Sequence, residues 1–176
     1  MRPDQRLSDR SRLVGHGGGM NNNQTSITVT RTIDAPAKDI FEVLTLPARH
    51  HEFDGSGMVR NAENTERVTK SGEKFVMNMH AEMMGGDYVM HNHVTAFDEN
   101  KMIGWQPAQE QSKDEPQGWE WLYELKPVDA DTTEVSLTYD WSKVDEKLAK
   151  EVGFPAIPKE KLEESLNLLA GAVVKN

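Results

Sequence analysis

The sequence of 176 residues contains no cysteine, which excludes disulfide bonds and thiolate chemistry and favours a reducing cytoplasm. It also has no apolar run near the ~20 residues that a membrane-spanning helix needs, so we expect no membrane partner. Basic residues are few, since 20 Lys and Arg stand against 29 Asp and Glu, a net charge of −9. This balance disfavours nucleic-acid binding, which depends on basic side chains that neutralise phosphates. The length suits one domain.

The first 23 residues have a different composition from the rest. They carry four Arg and two Asp, which leaves the remainder of the chain at −11, and they continue into a glycine-rich stretch and three asparagines. Such a segment buries too little apolar surface to offset its ordering entropy. We therefore expect a disordered tail over residues 1–23 and a folded domain over residues 24–176, with Met20 as an alternative start.

From residue 26 the pattern changes to elements with clear periodicity. A strand of β-branched residues comes first, and two short helices follow, opened by Pro36 and Pro47. Further strands occupy the middle of the chain, with a loop expected over residues 107–117. Ser142 and Asp145 then predict a capping box for a short helix.

Aromatic residues follow a strict alternation near the end of this strand region. Two adjacent segments place rings and apolar side chains on every second position, with polar residues between most of them: Trp119, Trp121, Tyr123 and Leu125, then Val135, Leu137, Tyr139 and Trp141. Successive side chains of a strand point to opposite faces, so both segments are interpreted as half-buried strands of one antiparallel pair.

The last element is a long amphipathic helix after Pro158, with apolar residues at helical spacing from Leu162 to Val173. It is long enough to cover the apolar face of the sheet. The prediction is therefore an α+β protein of the helix-grip fold. A curved antiparallel sheet of about six or seven strands wraps around the C-terminal helix, with two short helices after the first strand.

The sequence resembles the START-like (SRPBCC) superfamily over residues 26 to 174. The resemblance rests on "ITVTRTIDAPAKDIFEVLT", "HHEFDGSG", "VTAFDENKMIGW" and "GWEWLYELKP…TTEVSLTYDWS". This group includes the birch-pollen allergen, polyketide cyclases and the activator of the Hsp90 ATPase, and the chain is most similar to the bacterial branch termed polyketide cyclase- or dehydrase-like. Catalytic residues differ between branches, and no set is carried over to this chain.

The aromatic face and nearby methionines suggest a binding site for a small amphipathic or aromatic molecule. Packing as an ordinary core is the alternative explanation for the same residues. The candidate ligand-binding residues are Met77, Met79, Trp105, Trp119, Trp121, Tyr123, Tyr139 and Trp141. We expect the tyrosine hydroxyls to supply polar contacts in the cavity.

Histidines offer two further interpretations. His80, His91 and His93 lie on neighbouring predicted strands, but no motif with metal-ligand spacing supports a metal site, and we expect neither metal nor cofactor. His50 and His51 precede Asp54 near the expected cavity mouth. Either histidine can act as a general base, although a surface helix carrying paired histidines is the commoner arrangement.

Three functions therefore remain open from the sequence. The first is binding of a small hydrophobic or aromatic ligand between the sheet and the C-terminal helix. The second is a polyketide cyclase- or dehydratase-like enzyme, and the third is a protein-interaction module resembling the Hsp90 ATPase activator; both follow from the resemblance. A homodimer is left open.

Overall fold

The computed structural model describes residues 24–174, and these residues form one antiparallel sheet with three α-helices. The strands are β1 (Ser26–Ile33), β2 (Val59–Ala62), β3 (Lys74–Ala81), β4 (Gly86–Asp98), β5 (Met102–Gln109), β6 (Glu120–Asp129) and β7 (Thr132–Asp140). The helices are α1 (Ala37–Leu44), α2 (Glu146–Val152) and α3 (Lys159–Val174), with short 3₁₀ segments at Pro47–Glu52, Glu82–Met84 and Glu110–Ser112. The predicted tail lies outside the described residues.

The seven strands lie in the order β1-β7-β6-β5-β4-β3-β2, and every neighbouring pair is antiparallel. The first strand therefore pairs with the last, while α3 packs on β1 and on α1. This arrangement confirms the predicted α+β helix-grip fold, with its two short helical segments directly after β1. None of the helices within residues 24–174 is long and apolar enough to cross a membrane.

Alternation explains which strand faces are buried. In β7, Val135, Leu137 and Tyr139 are buried, and the residues between them are only partly covered. The same alternation buries Tyr123 and Leu125 in β6. These inward side chains meet α3, whose Leu162, Leu166 and Leu169 are each no more than 1% exposed. The core thus lies between one face of the sheet and one face of α3.

Strand lengths differ from the prediction at two places. The expected loop over residues 107–117 is wrong at its start, because β5 continues to Gln109 by pairing with the first half of β4. Beyond Trp105, β5 has no partner in β6, so Pro107, which cannot donate a backbone hydrogen bond, lies on a locally open edge. The two aromatic segments also extend further toward each other than their alternating positions indicate, since β6 runs to Asp129 and β7 begins at Thr132.

The short helix α2 begins one turn later than its predicted capping box. Asp145, rather than Ser142, is the N-cap, and its carboxylate accepts hydrogen bonds from the backbone N–H groups of Lys147 and Leu148. An aspartate at this position satisfies donors that the first turn leaves free. The cap fixes the start of α2, and the segment after α2 leads to α3.

Candidate functional site

A cavity of about 660 Å³ lies between the sheet and the first half of α3. Its floor comes from the inward positions of β3 to β7, and one side comes from the loop after the Pro47–Glu52 segment. The opposite side is formed by residues 151–157, which connect α2 to α3. The volume falls in the range of roughly 300–1,000 Å³ typical of small-molecule pockets.

The structure brings together seven of the eight candidate ligand-binding residues around this cavity. The lining includes Met77, Met79, Trp105, Trp119, Trp121, Tyr123 and Tyr139. Trp141 is buried beside the cavity instead, where its ring stacks on Phe154 at 5.9 Å between centroids. Phe154 itself lines the cavity, so Trp141 packs against a lining residue without lining the cavity itself. A role of these residues in binding stays a prediction.

Stacked pairs of rings form the aromatic wall of the cavity. Trp121 and Tyr139, opposite each other in the β6–β7 register, stack with centroids 4.2 Å apart and planes at 4°. Trp105 and Tyr123 stack less closely, at 6.0 Å. Stacked pairs of this kind contribute about 0.5–1.5 kcal/mol beyond simple burial. These contacts stabilise the aromatic wall in the observed arrangement.

Thioethers line much of the remaining cavity. Six of the nine methionines are lining residues: Met58, Met77, Met79, Met83, Met84 and Met90. Met83 and Met84 belong to the β3–β4 turn and are 74% and 41% exposed, and Val152 across the mouth is 43% exposed. Methionine adapts to irregular apolar shapes, so this side of the cavity is the more deformable one.

Both tyrosine hydroxyls that were expected to face a ligand have polar neighbours in the protein. The Tyr123 hydroxyl lies near the Ser165 side chain of α3, and the Tyr139 hydroxyl lies near the backbone of Ala156 and Ile157. Burial raises the pKa of Tyr139 to about 12 and raises the pKa of Tyr123 further, with the charge of Asp54 adding to the effect on Tyr123. Both phenols therefore stay protonated at neutral pH.

His50 is buried at the cavity wall, whereas its neighbour His51 is exposed, so the expected surface pair holds for His51 alone. The His50 ring lies 5.1 Å from both Phe75 and Trp105 between centroids, and its Nε2 lies 2.8 Å from the Leu44 carbonyl oxygen. Nε2 therefore carries the proton and donates it to that carbonyl. Burial lowers the pKa of His50 to about 4, so the ring is neutral at physiological pH.

This buried imidazole predicts a loss of stability in mild acid. The pKa of His50 falls from 6.5 to about 4 on folding, so between these values only the unfolded chain takes up the proton. Stability should fall as pH falls from 6.5 to 4, by about 3 kcal/mol in total from this group, and the contribution should be constant below pH 4. Urea unfolding at half-unit pH steps measures the slope.

The matched variants are His50→Gln and His51→Gln. Glutamine cannot protonate but can still donate to the Leu44 carbonyl, so His50→Gln should flatten the slope in this window. His51→Gln should retain it, because His51 is exposed. Equal slopes in wild type and His50→Gln would contradict the assignment.

The loop after the 3₁₀ segment places a carboxylate in the cavity wall. Asp54 Oδ1 accepts hydrogen bonds from the backbone N–H and the hydroxyl of Ser56, at 3.0 and 2.6 Å, and Oδ2 accepts from the Val59 N–H at 2.7 Å. Gly55 donates its N–H to the Ser165 hydroxyl of α3 at 2.8 Å. This loop is thus a bridge from the sheet edge to α3. Its contact with α3 carries no signal in the local sequence.

His80, His91 and His93 do not line the cavity. His91 Nε2 is 2.6 Å from Glu110 Oε1, His93 Nε2 is 2.7 Å from the Lys113 carbonyl oxygen, and His80 Nδ1 is 2.7 Å from Asp87. Each histidine has a separate partner. Among residues 24–174, no group of three or more His, Cys, Asp or Glu side chains is arranged to hold a metal ion.

Comparison with known proteins agrees with this architecture. A family model described as Activator of Hsp90 ATPase homolog 1-like protein matches residues 34–173. The uncharacterized protein Rv0088 of Mycobacterium tuberculosis is 30% identical over 115 residues, which are 64% of this chain and 47% of that protein. The match thus spans about half the length of that relative.

Solved structures share the fold at low identity. The Zhui aromatase/cyclase from Streptomyces sp. R1128 matches with a TM-score of 0.60 and 17% identity, over 85% of this chain and 93% of that one. A START superfamily protein from Mycobacterium smegmatis matches with a TM-score of 0.57 and 17% identity, over 86% and 99% of the two chains. At such identities the likeness concerns the fold alone.

Proposed function

The chain belongs to the Activator of Hsp90 ATPase homolog 1-like family, within the START-like superfamily, and we propose that it binds a small hydrophobic or aromatic molecule in its internal cavity. The observation that carries the proposal is the cavity of about 660 Å³, walled by stacked aromatic rings on one side and methionines on the other. An apolar pocket with a few polar groups is the usual form of a small-molecule site.

The cavity is also bordered by features that a simple core does not need. The hydroxyls of Tyr123 and Tyr139 lie near polar groups of Ser165 and of residues 156–157, opposite the sheet. Exposed Met83, Met84 and Val152 surround the mouth, which gives an apolar ligand an apolar entrance. A cyclase- or dehydratase-like reaction and a protein-interaction role are the alternatives to simple binding.

Filling the cavity tests the proposal. Met79→Trp adds ring volume at a half-buried lining position, so it should weaken binding of the neutral dye Nile red about tenfold or more while leaving the melting temperature nearly unchanged. If the interior were a packed core instead, the same change would cost about 1–3 kcal/mol of stability through overpacking. Dye fluorescence titrations beside thermal melts separate the two results.

The matched control is Met102→Trp, which adds the same ring outside the cavity lining. It should change neither dye binding nor stability much. Native mass spectrometry of the purified protein reports whether a small molecule copurifies. Wild type that neither binds the dye nor carries a small molecule would overturn the binding function and favour the protein-interaction alternative.

A further inference from the structure

Few acidic or basic side chains line the cavity, and they differ in solvent exposure. Three of the lining residues are of acidic or basic type: Asp54, Glu151 and Lys161. Glu151 and Lys161 are exposed to solvent at the mouth. They are of opposite charge type, and solvent screens both of them. Asp54 is half-buried, so water screens its electrostatic effect inside the cavity less than that of the two exposed residues.

The carboxylate of Asp54 is held in place without being neutralised. Its three hydrogen-bond donors, from Ser56 and Val59, are all uncharged groups. Within residues 24–174, the ion pairs involve other carboxylates, such as Arg49 with Glu52 and Lys74 with Asp114. The nearby His50 ring is neutral at physiological pH, because burial lowers its pKa to about 4. Among the ion pairs of residues 24–174 none involves Asp54, so its negative charge faces the cavity without an ion-pair partner from this part of the chain.

This charge acts on several groups around the cavity. Besides burial, the charge of Asp54 raises the pKa values of Tyr88 and Tyr123, which lie on different strands. Part of the cavity wall is aromatic, since Trp105 and Tyr123 stack on each other and both line the cavity. The faces of such rings attract cations, and the attraction strengthens when the cation is desolvated.

We propose that the cavity selects ligands that carry a positively charged nitrogen, an amine or ammonium group placed beside Asp54, with an apolar or aromatic body against the methionines and the Trp121–Tyr139 pair. This proposal rests on the proposed binding function and adds the charge of the ligand to it. A carboxylate ligand of the same shape faces repulsion from Asp54, and a neutral ligand gains nothing from it.

Three naphthalene ligands of nearly equal shape test the charge preference in the wild-type protein. They are 1-naphthylmethylamine, 1-naphthylmethanol and 1-naphthoate, which at pH 7 are cationic, neutral and anionic. Each competes with Nile red in a fluorescence displacement assay at low and moderate salt. The amine should bind at least about tenfold tighter than the alcohol, and the carboxylate should bind weakest.

A pair of variants locates the effect. Asp54→Asn should bring the amine to within about threefold of the alcohol, whereas Glu124→Gln, which changes the net charge equally on the exposed outer face of β6, should preserve the difference. Thermal melts report whether Asp54→Asn stays folded. The ranking of the three ligands by wild type tests the proposal even if that variant unfolds.

The outcomes also separate this inference from the function on which it rests. If Nile red binds and the three ligands compete equally, or the carboxylate competes best, the charge preference is overturned and the binding function stands. If an amine advantage survives in a folded Asp54→Asn protein, the assignment to Asp54 is overturned. If neither the dye nor any of the three ligands binds, the binding function is overturned, and the inference falls with it.

Discussion

Leu166→Asp should leave no cooperatively folded domain. Leu166 lies in the middle of α3, is 1% exposed, and packs with Leu162 and Leu169 against the sheet. A carboxylate at this position would be buried without a partner, at a cost of several kcal/mol, and the leucine packing would be lost as well. Because whole domains are stable by only about 5–15 kcal/mol, this loss removes most or all of the margin. Circular dichroism and tryptophan fluorescence during urea unfolding measure it.

Asn167→Asp is the matched control for this prediction. It places the same charge one residue further along α3, on the exposed face, where Arg31 already donates to the Asn167 side chain at 2.9 Å. An aspartate there gains an ionic partner, so stability should change by less than about 0.5 kcal/mol. A Leu166→Asp protein that melts cooperatively near the wild-type temperature would show that α3 does not hold the core.

The sheet could be predicted because its signals are local. A strand with one buried face must alternate, and β7 does so from Val135 to Tyr139 without exception. The same holds for α3, where Leu162, Leu166 and Leu169 lie at helical spacing and are buried. Burial against a single layer of partners leaves this periodicity in the sequence, and the order of elements then restricts the fold to few arrangements.

The differences from prediction arise where a distant partner decides the local structure. Pro107 normally disfavours a strand, yet β5 continues through it because β4 supplies hydrogen-bond partners along one edge. His50 is buried because its ring packs against Phe75 of β3 and Trp105 of β5. Neither partner is adjacent in sequence, so composition and spacing carry no sign of either contact.

The candidate site divides in the same way. The aromatic side chains facing the cavity could be predicted, because Trp121 and Tyr123 follow from strand alternation within one segment. The polar groups could not be predicted, because their roles depend on elements far apart in the chain. Ser165 of α3 lies near the Tyr123 hydroxyl of β6 and accepts a hydrogen bond from the Gly55 N–H, so three separate segments meet at the Ser165 side chain.

Gly55→Ala should be the most damaging change of a single methyl group in the cavity wall. A Cβ atom at residue 55 would lie 2.1 Å from the Lys161 carbonyl oxygen and 2.7 Å from the Ser165 backbone nitrogen. Both atoms belong to the backbone of α3, so the loop itself must move away and lose its hydrogen bond to the Ser165 hydroxyl. We expect a loss of roughly 3 kcal/mol in stability and weaker Nile red binding, because Asp54 and Ser56 move with the loop.

Gly171→Ala shows whether the effect comes from this close approach rather than from losing a glycine. Residue 171 lies in α3 too, but a Cβ there meets nothing within 4 Å, so alanine should stabilise the helix by about 0.5–1 kcal/mol. Urea unfolding of both variants should therefore give shifts of opposite sign. If Gly55→Ala were as stable as wild type and bound the dye equally well, the loop would not need its contact with α3. The cavity wall would then be held by the sheet, and Asp54 would have no fixed position from which to select a ligand.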